Sequence, residues 1–394
     1  MKKVTILGIR GIPAEHGGFE TFAEVLALHL KSRGWDVTVY CQGEGKTGAP
    51  VRSTWQGIEL IRIDVPQRGA LGTLVYDWRC VRHVLATRGE GAVLSLGYNT
   101  ASFYGLLRLF GIRNVINMDG LEWKRDKWSL PERIWLWCNE RLGCWFGNHL
   151  IADHPEIARH LATRVSEKKI SVIPYGAFEI DTADEAHIRR LDLEPHRYLT
   201  LIARPEPENS ILEIVRAFSD KPRGVKLVVL GHYLPDEIPF HAAVVSAASD
   251  EVVFAGAIYD QDVVRALRHF SLFYLHGHRV GGTNPSLVEA LGAGSAVLAH
   301  DNCFNRWVAD QAAEYFSDEA SCSQKIDHML SDPGIVHDMR QQAMARFERD
   351  FRWESVLGTY ERLLETWQPP KPNARGDEAR ARPDRARNQE SAGR

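Results

Sequence analysis

The chain has 394 residues, 44% hydrophobic and 25% charged, with a formal net charge of −3, which excludes, for the chain as a whole, a fibre, a disordered polypeptide and a membrane-embedded protein. Lys+Arg at 48 against Asp+Glu at 51 offers no field for wrapping nucleic acid, so no nucleic-acid partner is expected. At roughly 100 to 200 residues per domain, the length predicts two domains with a ligand cleft between them.

Val4 to Ile9 is an apolar run of strand length, too short for a signal-peptide core. A Gly-rich loop through Gly17-Gly18 follows, then a helix from Phe19 to Arg33 with apolar residues at Phe19, Phe22, Leu26 and Leu30. Trp35 to Tyr40 predicts the second strand. Ile58 to Ile63 and Ala92 to Leu96 are further strands, separated by a helical run from Leu71 to Leu85. A helix from Ala101 to Phe110, a strand from Asn114 to Met118 and a Trp-rich helix starting at Pro131 come next. His149 to Ala152 and Ile170 to Ile173 add two strands before Pro174-Tyr175-Gly176.

After a polar connector, Thr182 to His196, the pattern restarts. Strands are expected at Tyr198 to Ala203, Lys226 to Leu230, Val252 to Ala255, Leu272 to Leu275 and Ala296 to Ala299. Helices are expected at Ile211 to Phe218, Asp260 to His269, Pro285 to Gly292 and Trp353 to Trp367. Strands alternating with helices mean parallel sheets covered on both faces. The expected architecture is α/β: a Rossmann-like domain over 1–178 and a second over 179–352, facing across a cleft. The helix in 353–368 packs back on the first, and 369–394, without Leu, Ile, Val or aromatics, is a disordered tail. Nowhere do 18 apolar residues run uninterrupted, so no membrane-spanning helix is expected. Cys41, Cys80, Cys138, Cys144, Cys303 and Cys322 form no CxxC pair and read as reduced thiols, which favours the cytoplasm.

Parallel sheets place ligands at the carboxyl ends of strands, where helix N-termini offer free N–H groups to anions. The loop Gly8 to Gly18 lacks GxGxxG spacing, and the second strand ends in Cys41-Gln42 rather than in an acid for a dinucleotide ribose. Gly43 to Gly48 has that spacing but runs into Ala49-Pro50, and Tyr40 stands where a P-loop needs glycine. His276 to Pro285 fits a nucleoside diphosphate better. Gly281 and Gly282 let phosphates approach the backbone, Thr283 and Asn284 lead into Pro285 in the first helical turn, and Glu289 offers an acceptor for ribose hydroxyls. A tight strand-to-helix turn is the alternative reading. Arg204, at the end of the strand from Tyr198, points a guanidinium at the same cleft. His276 and His278 read as a polar pocket wall, and His16 and His154 as surface histidines.

The Gly17-Gly18 loop before a helix, GWDVTVYC, Val172-Ile173-Pro174-Tyr175-Gly176, Ala203-Arg204 and Gly282 to Glu289 resemble, in order and distance, glycosyltransferase family 4 of the GT-B fold. ILGIRGIPAEHGGFETF, NMDGLEWKRDKWS, ARPEPENS and HGHRVGGTNPSLVEALGAG look like its rhamnosyltransferase-like branch from bacterial surface-polysaccharide pathways. The resemblance covers residues 1 to about 367. It implies that the second half holds a nucleotide-diphosphate sugar, with rhamnose on dTDP expected, and the first half a glycan or lipid-linked acceptor. It also implies that Glu289 binds the ribose and Arg204 the diphosphate. Two positions depart from the family: Gly281 stands where its first glutamate would be, and Glu208-Asn209-Ser210 where a lysine is usual.

Breaking a glycosyl phosphate bond needs cations or N–H groups around the phosphates and an acceptor for the nucleophile's proton. Arg204, the backbone from Gly281 to Asn284 and the Gly17 and Gly18 amides fit the first need. Asp119 fits the second, with Glu122 as rival, although Asp119 also suits a turn before Gly120. Asp260-Gln261-Asp262 opens a helix and reads as its cap, so neither metal nor cofactor is expected. Lys124-Arg125-Asp126-Lys127-Trp128, then Trp135, Trp137, Trp145 and Phe146, suit either a buried helix or peripheral contact with the inner face of a membrane. A nucleotide-sugar epimerase and a non-catalytic nucleotide-sugar binding protein are the other functional readings.

Overall fold

A computed structural model describes residues 2–14, 17–45, 49–67, 69–89, 91–125 and 127–369. His16, Asp126, the Lys46 to Gly48 stretch and the tail beyond 369 lie outside the described residues.

The first sheet comprises β1 (Lys3–Leu7), β2 (Asp36–Gly43), β3 (Val51–Trp55), β4 (Ile58–Asp64), β5 (Ala92–Leu96), β6 (Asn114–Asn117), β7 (His149–Ala152) and β8 (Ile170–Val172), in the order β3-β4-β2-β1-β5-β6-β7-β8. Its helices are α1 (Gly18–Ser32), α2 (Gly69–Ala86), α3 (Tyr104–Leu109), α4 (Leu130–Phe146) and α5 (Pro155–Ala162). After the short α6 (Ala186–Arg189) comes the second sheet: β9 (Tyr198–Ile202), β10 (Lys226–Leu230), β11 (Val252–Gly256), β12 (Tyr274–His276), β13 (Val297–His300) and β14 (Ala313–Phe316), ordered β11-β10-β9-β12-β13-β14. Its helices are α7 (Ile211–Ser219), α8 (Pro239–Ser246), α9 (Gln261–His269), α10 (Pro285–Gly292), α11 (Cys303–Ala309), α12 (Glu319–Ser331) and α13 (Pro333–Asp350), and α14 (Trp353–Thr366) follows.

β5 is buried along its whole length, as a strand covered on both faces must be, and it pairs parallel with β1 and β6. The expectation of a purely parallel sheet fails at the edge. β3, absent from the sequence reading, pairs antiparallel with β4. Gln56 and Gly57 turn the hairpin with φ of 47° and 78°, the left-handed pair that matches strand twist in a two-residue loop. β3 is almost wholly exposed, so neither sheet-core periodicity nor an Asn-Gly signal marks it. The helices α5, α8, α11, α12 and α13 and the strand β14 are further elements that the sequence reading left unassigned.

The last helix returns to the first sheet. Trp353, Val356, Leu357, Tyr360 and Leu364 share one core with Phe22, Leu26, Leu30 and Trp35, and buried Trp35 donates its indole N–H to Glu361 at 3.1 Å. Where the chain crosses, Ala177 accepts from and donates to the turn at Phe351 and Trp353.

Asp77 lies buried in α2, where its Oδ2 accepts from the Thr100 hydroxyl at 2.7 Å. Burial pushes its carboxyl up to about 7, with the Thr100 hydrogen bond opposing. The folded chain therefore holds this proton more tightly than the unfolded chain. That contribution to stability is present below the ordinary carboxylate range and is lost as pH rises through about 7. Asp77→Asn keeps an acceptor for Thr100 without the charge. Its melting temperature at about pH 8 should exceed wild type by a few degrees and change less between about pH 5 and pH 8; scanning calorimetry reads both.

Candidate functional site

Each sheet reverses its strand order once, between β1 and β5 and between β9 and β12, and ligands of open α/β sheets bind beyond the carboxyl ends at such points. On the second sheet, β12 leads into Gly281, whose φ of 143° favours glycine. The chain enters α10 through Asn284, whose Oδ1 accepts from Ser286 N at 3.0 Å. The Asn284 side chain is thus the helix cap, and Gly281 has open space where a side chain would stand. Arg204, just past β9, is exposed and makes no ion pair among the described residues.

Glu289 is not a free carboxylate. Its Oε2 accepts from Arg268 Nη2 at 2.8 Å, and Arg268, only 2% exposed, also donates to Ser286 O and Oγ at 3.0 Å each. A buried arginine therefore orients Glu289, whose side chain stays 39% exposed towards solvent. The sequence reading missed Arg268. Its signal is a cation among Ala266 and Leu267 on the buried face of α9.

The histidines need a correction, because His276 forms no open pocket wall. It is fully buried and stacks on His278 with ring centroids 4.4 Å apart. Burial holds both neutral; for His278, with Arg125 and Arg204 adding to the effect, the pKa falls to about 3. His154 is likewise buried rather than on the surface. It caps α5 by accepting from Glu156 N at 3.0 Å and meets the rings of Phe304 and Trp307 of the second half edge-on. Asp260 caps α9 by accepting from Asp262 N at 3.0 Å.

From the first sheet, Asp119 projects two residues past β6 with φ of 50°, a left-handed conformation that aspartate tolerates better than most residues. Its N–H donates to Asn117 Oδ1 at 3.0 Å, and Asn117 Nδ2 donates to the Tyr360 hydroxyl of α14 at 2.9 Å. The Tyr98 hydroxyl donates to Gly120 O at 3.2 Å and accepts from Glu122 N at 2.9 Å. The turn is thereby fixed on both sides. Burial, then the charge of Glu122, pushes the Asp119 carboxyl up to about 6, against the Gly120 N–H, Arg125 and Lys127. Glu122 itself is engaged by Arg125 at 2.9 Å and Lys127 at 3.8 Å. Asp119, by contrast, has no ion-pair partner among the described residues.

Two residues that the sequence reading did not place in the site cross the cleft. Asp153, just past β7, accepts at Oδ2 from Thr283 N at 2.9 Å, and its backbone carbonyl accepts from the Thr283 hydroxyl. A Cβ on Gly282 would collide with its carboxylate. Asp153 Oδ1 is buried with no hydrogen-bond partner among the described residues. Burial, then Asp119, pushes the Asp153 carboxyl up to about 7. Arg125 donates from Nε to Glu208 Oε1 at 2.8 Å, so the acid standing where a lysine was expected meets a cation from the opposite half. Lys127 lies close enough for Arg125 and Arg204 to help burial lower its pKa.

Gly17 precedes α1 and Gly18 opens it, and a Cβ on Gly18 would come within 3.2 Å of Pro285 Cγ. One on Gly120 would lie 3.5 Å from the Gly281 carbonyl carbon. The N-termini of α1 and α10, from opposite sheets, thus face one small volume. Beside it, a cavity of about 1010 Å³ opens past β1, β2 and β4 in the first half, with Arg10, Gln42, Glu44, Arg62 and Gln67 among its lining residues.

Solved structures share this two-sheet α/β fold. Sucrose-phosphate synthase from Thermosynechococcus elongatus superposes with a TM-score of 0.79 at 16% identity, over 93% of this chain and 99% of that one. Anabaena Alr3699/HepE in complex with UDP and glucose gives 0.73 at 14%, over 93% and 100%. The α,α-trehalose 6-phosphate synthase from Burkholderia multivorans gives 0.72 at 11%, over 98% and 99%. The chain has the GT-B fold. Within it, residues 211–362 match a family model described as glycosyl transferase-like, and residues 1–178 match a domain of unknown function, DUF1972. Comparison with curated proteins gives no match. Across the cleft of this chain, Gly18 faces Pro285, Gly120 faces Gly281, Asp153 meets Gly282 and Thr283, and Arg125 meets Glu208.

Proposed function

We propose that this protein is a glycosyltransferase that moves a sugar from a nucleoside diphosphate to an acceptor hydroxyl bound by the first half. The observation that carries the reading is the meeting of the α1 and α10 N-termini beside Gly281 and the exposed Arg204, which makes no ion pair among the described residues. Such a place suits a diphosphate, whose charge both helix ends and a guanidinium complement. The glycosyl transferase-like match of the second half and the UDP and glucose complex of the Anabaena neighbour support it.

In this reading Glu289, steadied by Arg268, accepts from ribose hydroxyls. Arg204, the Gly17 and Gly18 amides and the Gly281 to Asn284 backbone, the Thr283 N–H excepted, neutralise the leaving diphosphate. Arg125 and Lys127 add charge from the first half. The acceptor hydroxyl attacks the anomeric carbon while the bond to the diphosphate oxygen breaks, and Asp119 takes the hydroxyl's proton. A group titrating near neutrality is suited to that transfer. Asp153 occupies the Thr283 N–H that a bound anion would use. The cavity lined by Arg10, Gln42, Glu44, Arg62 and Gln67 offers the acceptor a polar, hydrogen-bonding surface.

The finer reading is a rhamnosyltransferase using a dTDP-sugar, acting in the cytoplasm on a glycan or lipid-linked acceptor of surface-polysaccharide synthesis and meeting the membrane only peripherally. Among the described residues no helix is long and apolar enough to cross a membrane.

Thermal shift against dTDP-, UDP- and GDP-sugars tests the donor, since ligand at 100-fold over Kd stabilises by about 2.7 kcal/mol. A shift with one base, followed by turnover with a saccharide acceptor, is expected; binding without turnover would favour a non-catalytic binding protein, and release of free epimer an epimerase. Turnover should persist in EDTA, because arginines and backbone amides supply the positive field. Loss on chelation, restored by Mg²⁺, would contradict this.

A further inference from the structure

Leu130, Ile134, Trp137, Arg141 and Trp145 recur along α4 at i, i+4, i+7, i+11 and i+15, which is one face of a helix. That face points away from the protein. Leu130 is 71%, Ile134 55%, Trp137 42% and Trp145 56% exposed, while Leu136, Asn139, Glu140, Gly143 and Cys144 fill the buried face. The adjoining end of α3, which packs on α4 where Gly105 meets the Phe146 ring, adds Leu109 and Phe110 at 76% and 68% exposed. A single exposed apolar side chain is ordinary; six on two neighbouring helices mark an interaction surface. Trp135, Trp137 and Trp145 are therefore not core, which the sequence left open, while Trp128 and Phe146 pack against it.

The charges on this ridge are of one sign. The Arg141 guanidinium carbon lies 3.3 Å from the Trp137 ring centroid. Lys169 Nζ donates to Cys144 O at 2.6 Å and Trp145 O at 3.4 Å at the end of α4, and Arg108 precedes Leu109. Of the two acids of α4, Glu132 closes the capping box with Ser129, and Glu140 is buried, held more closely by His160 at 3.0 Å and Arg164 at 3.1 Å than by Arg141 at 3.9 Å. A second copy of the chain packing about a twofold axis would set these cations against their own images. Indole rings interleaved with guanidinium and ammonium groups on a convex ridge suit instead the boundary between lipid headgroups and acyl chains.

We infer that the outer face of α4, extended by the end of α3, docks on an anionic phospholipid leaflet. This deepens the peripheral membrane contact of the proposed function by naming the surface and the lipid charge, and rests on that reading only for what docking would do to the cleft. Because α4 follows directly on the turn that carries Asp119 to Arg125, docking would fix the first half of the cleft relative to the membrane and leave the second half free to exchange donor.

The test is co-flotation of the full chain with vesicles of phosphatidylcholine alone or mixed with phosphatidylglycerol, in low and high salt. Binding is expected to the anionic vesicles only and to weaken as salt rises. Trp137→Ser with Trp145→Ser should weaken it at least about tenfold, and Arg141→Gln with Lys169→Gln about fivefold for each cation removed. Leu109→Ser with Phe110→Ser, on a different helix, should weaken it as well and serves should the tryptophan variant fail to fold. Equal binding to both vesicle types, no binding to either, or unchanged binding by folded variants would overturn the inference. So would wild-type dimers in sedimentation that become monomers on Trp137→Ser, which would assign the face to a second copy. No sugar nucleotide is present in these measurements, so their outcome and that of the donor screen are read separately.

Discussion

Replacing Asp119 by asparagine is expected to lower kcat by about 10² to 10⁴ while leaving the Kd for the sugar nucleotide nearly unchanged. The geometry makes this variant a clean one. The Asp119 backbone N–H is held by Asn117, which Tyr360 holds in turn, and the turn beyond it by Tyr98. Asparagine also tolerates the φ of 50° at this position, so the fold should survive and only the proton-accepting group is lost. A residue whose sole task was to cap the turn would keep most activity as asparagine. The pH profile adds a second readout. Asp119 is pushed up to about 6 and Asp153 to about 7, and as neighbours they titrate together. Wild-type activity should rise with pH across that interval as the base loses its proton, and the rise should be largely absent from the residual activity of the variant. Full turnover by Asp119→Asn would move the role to another group, with Glu122 the next carboxylate to test. Glu122 would first have to be released from Arg125 and Lys127.

Glu289→Ala is expected to raise the Kd for the nucleoside diphosphate about 5- to 150-fold, the loss of a charge-assisted hydrogen bond worth about 1 to 3 kcal/mol. The pairing with Arg268 shapes the experiment. Alanine removes one of the partners of a cation that is 2% exposed, which costs stability as well as affinity. Arg268 keeps Ser286 O and Oγ, so the fold should hold with a lower melting temperature. Glu289→Gln, which preserves the shape and an acceptor oxygen, should bind more tightly than Glu289→Ala but less tightly than wild type. Calorimetry with UDP and dTDP decides: unchanged affinity for both in Glu289→Ala would remove this residue from the site.

The sequence by itself determined the alternation of the central strands with many of their helices, but not the exposed β3, nor β14 and five of the helices. A buried strand must be apolar along its length and a covering helix must repeat near 3.6 residues, whereas an exposed strand such as β3 carries neither signal. It also determined the local shape of the loop that leads into α10. Gly281 takes a φ open to glycine, Asn284 caps α10, and Pro285 occupies the first turn, all consequences of residues within a few positions of one another. Contacts between distant residues are not written in local periodicity. Asp153 meets Thr283 across 130 residues of chain, and Arg125 meets Glu208 across 83; these pairings arise only when two sheets bring their carboxyl ends together. The same holds for the Trp-rich helix. Spacing shows that Trp137 and Trp145 share a face with Ile134, but whether that face turns inward depends on which side of α4 the first sheet covers. Leu136, Gly143 and Cys144 were the residues it covered, leaving the tryptophans outside.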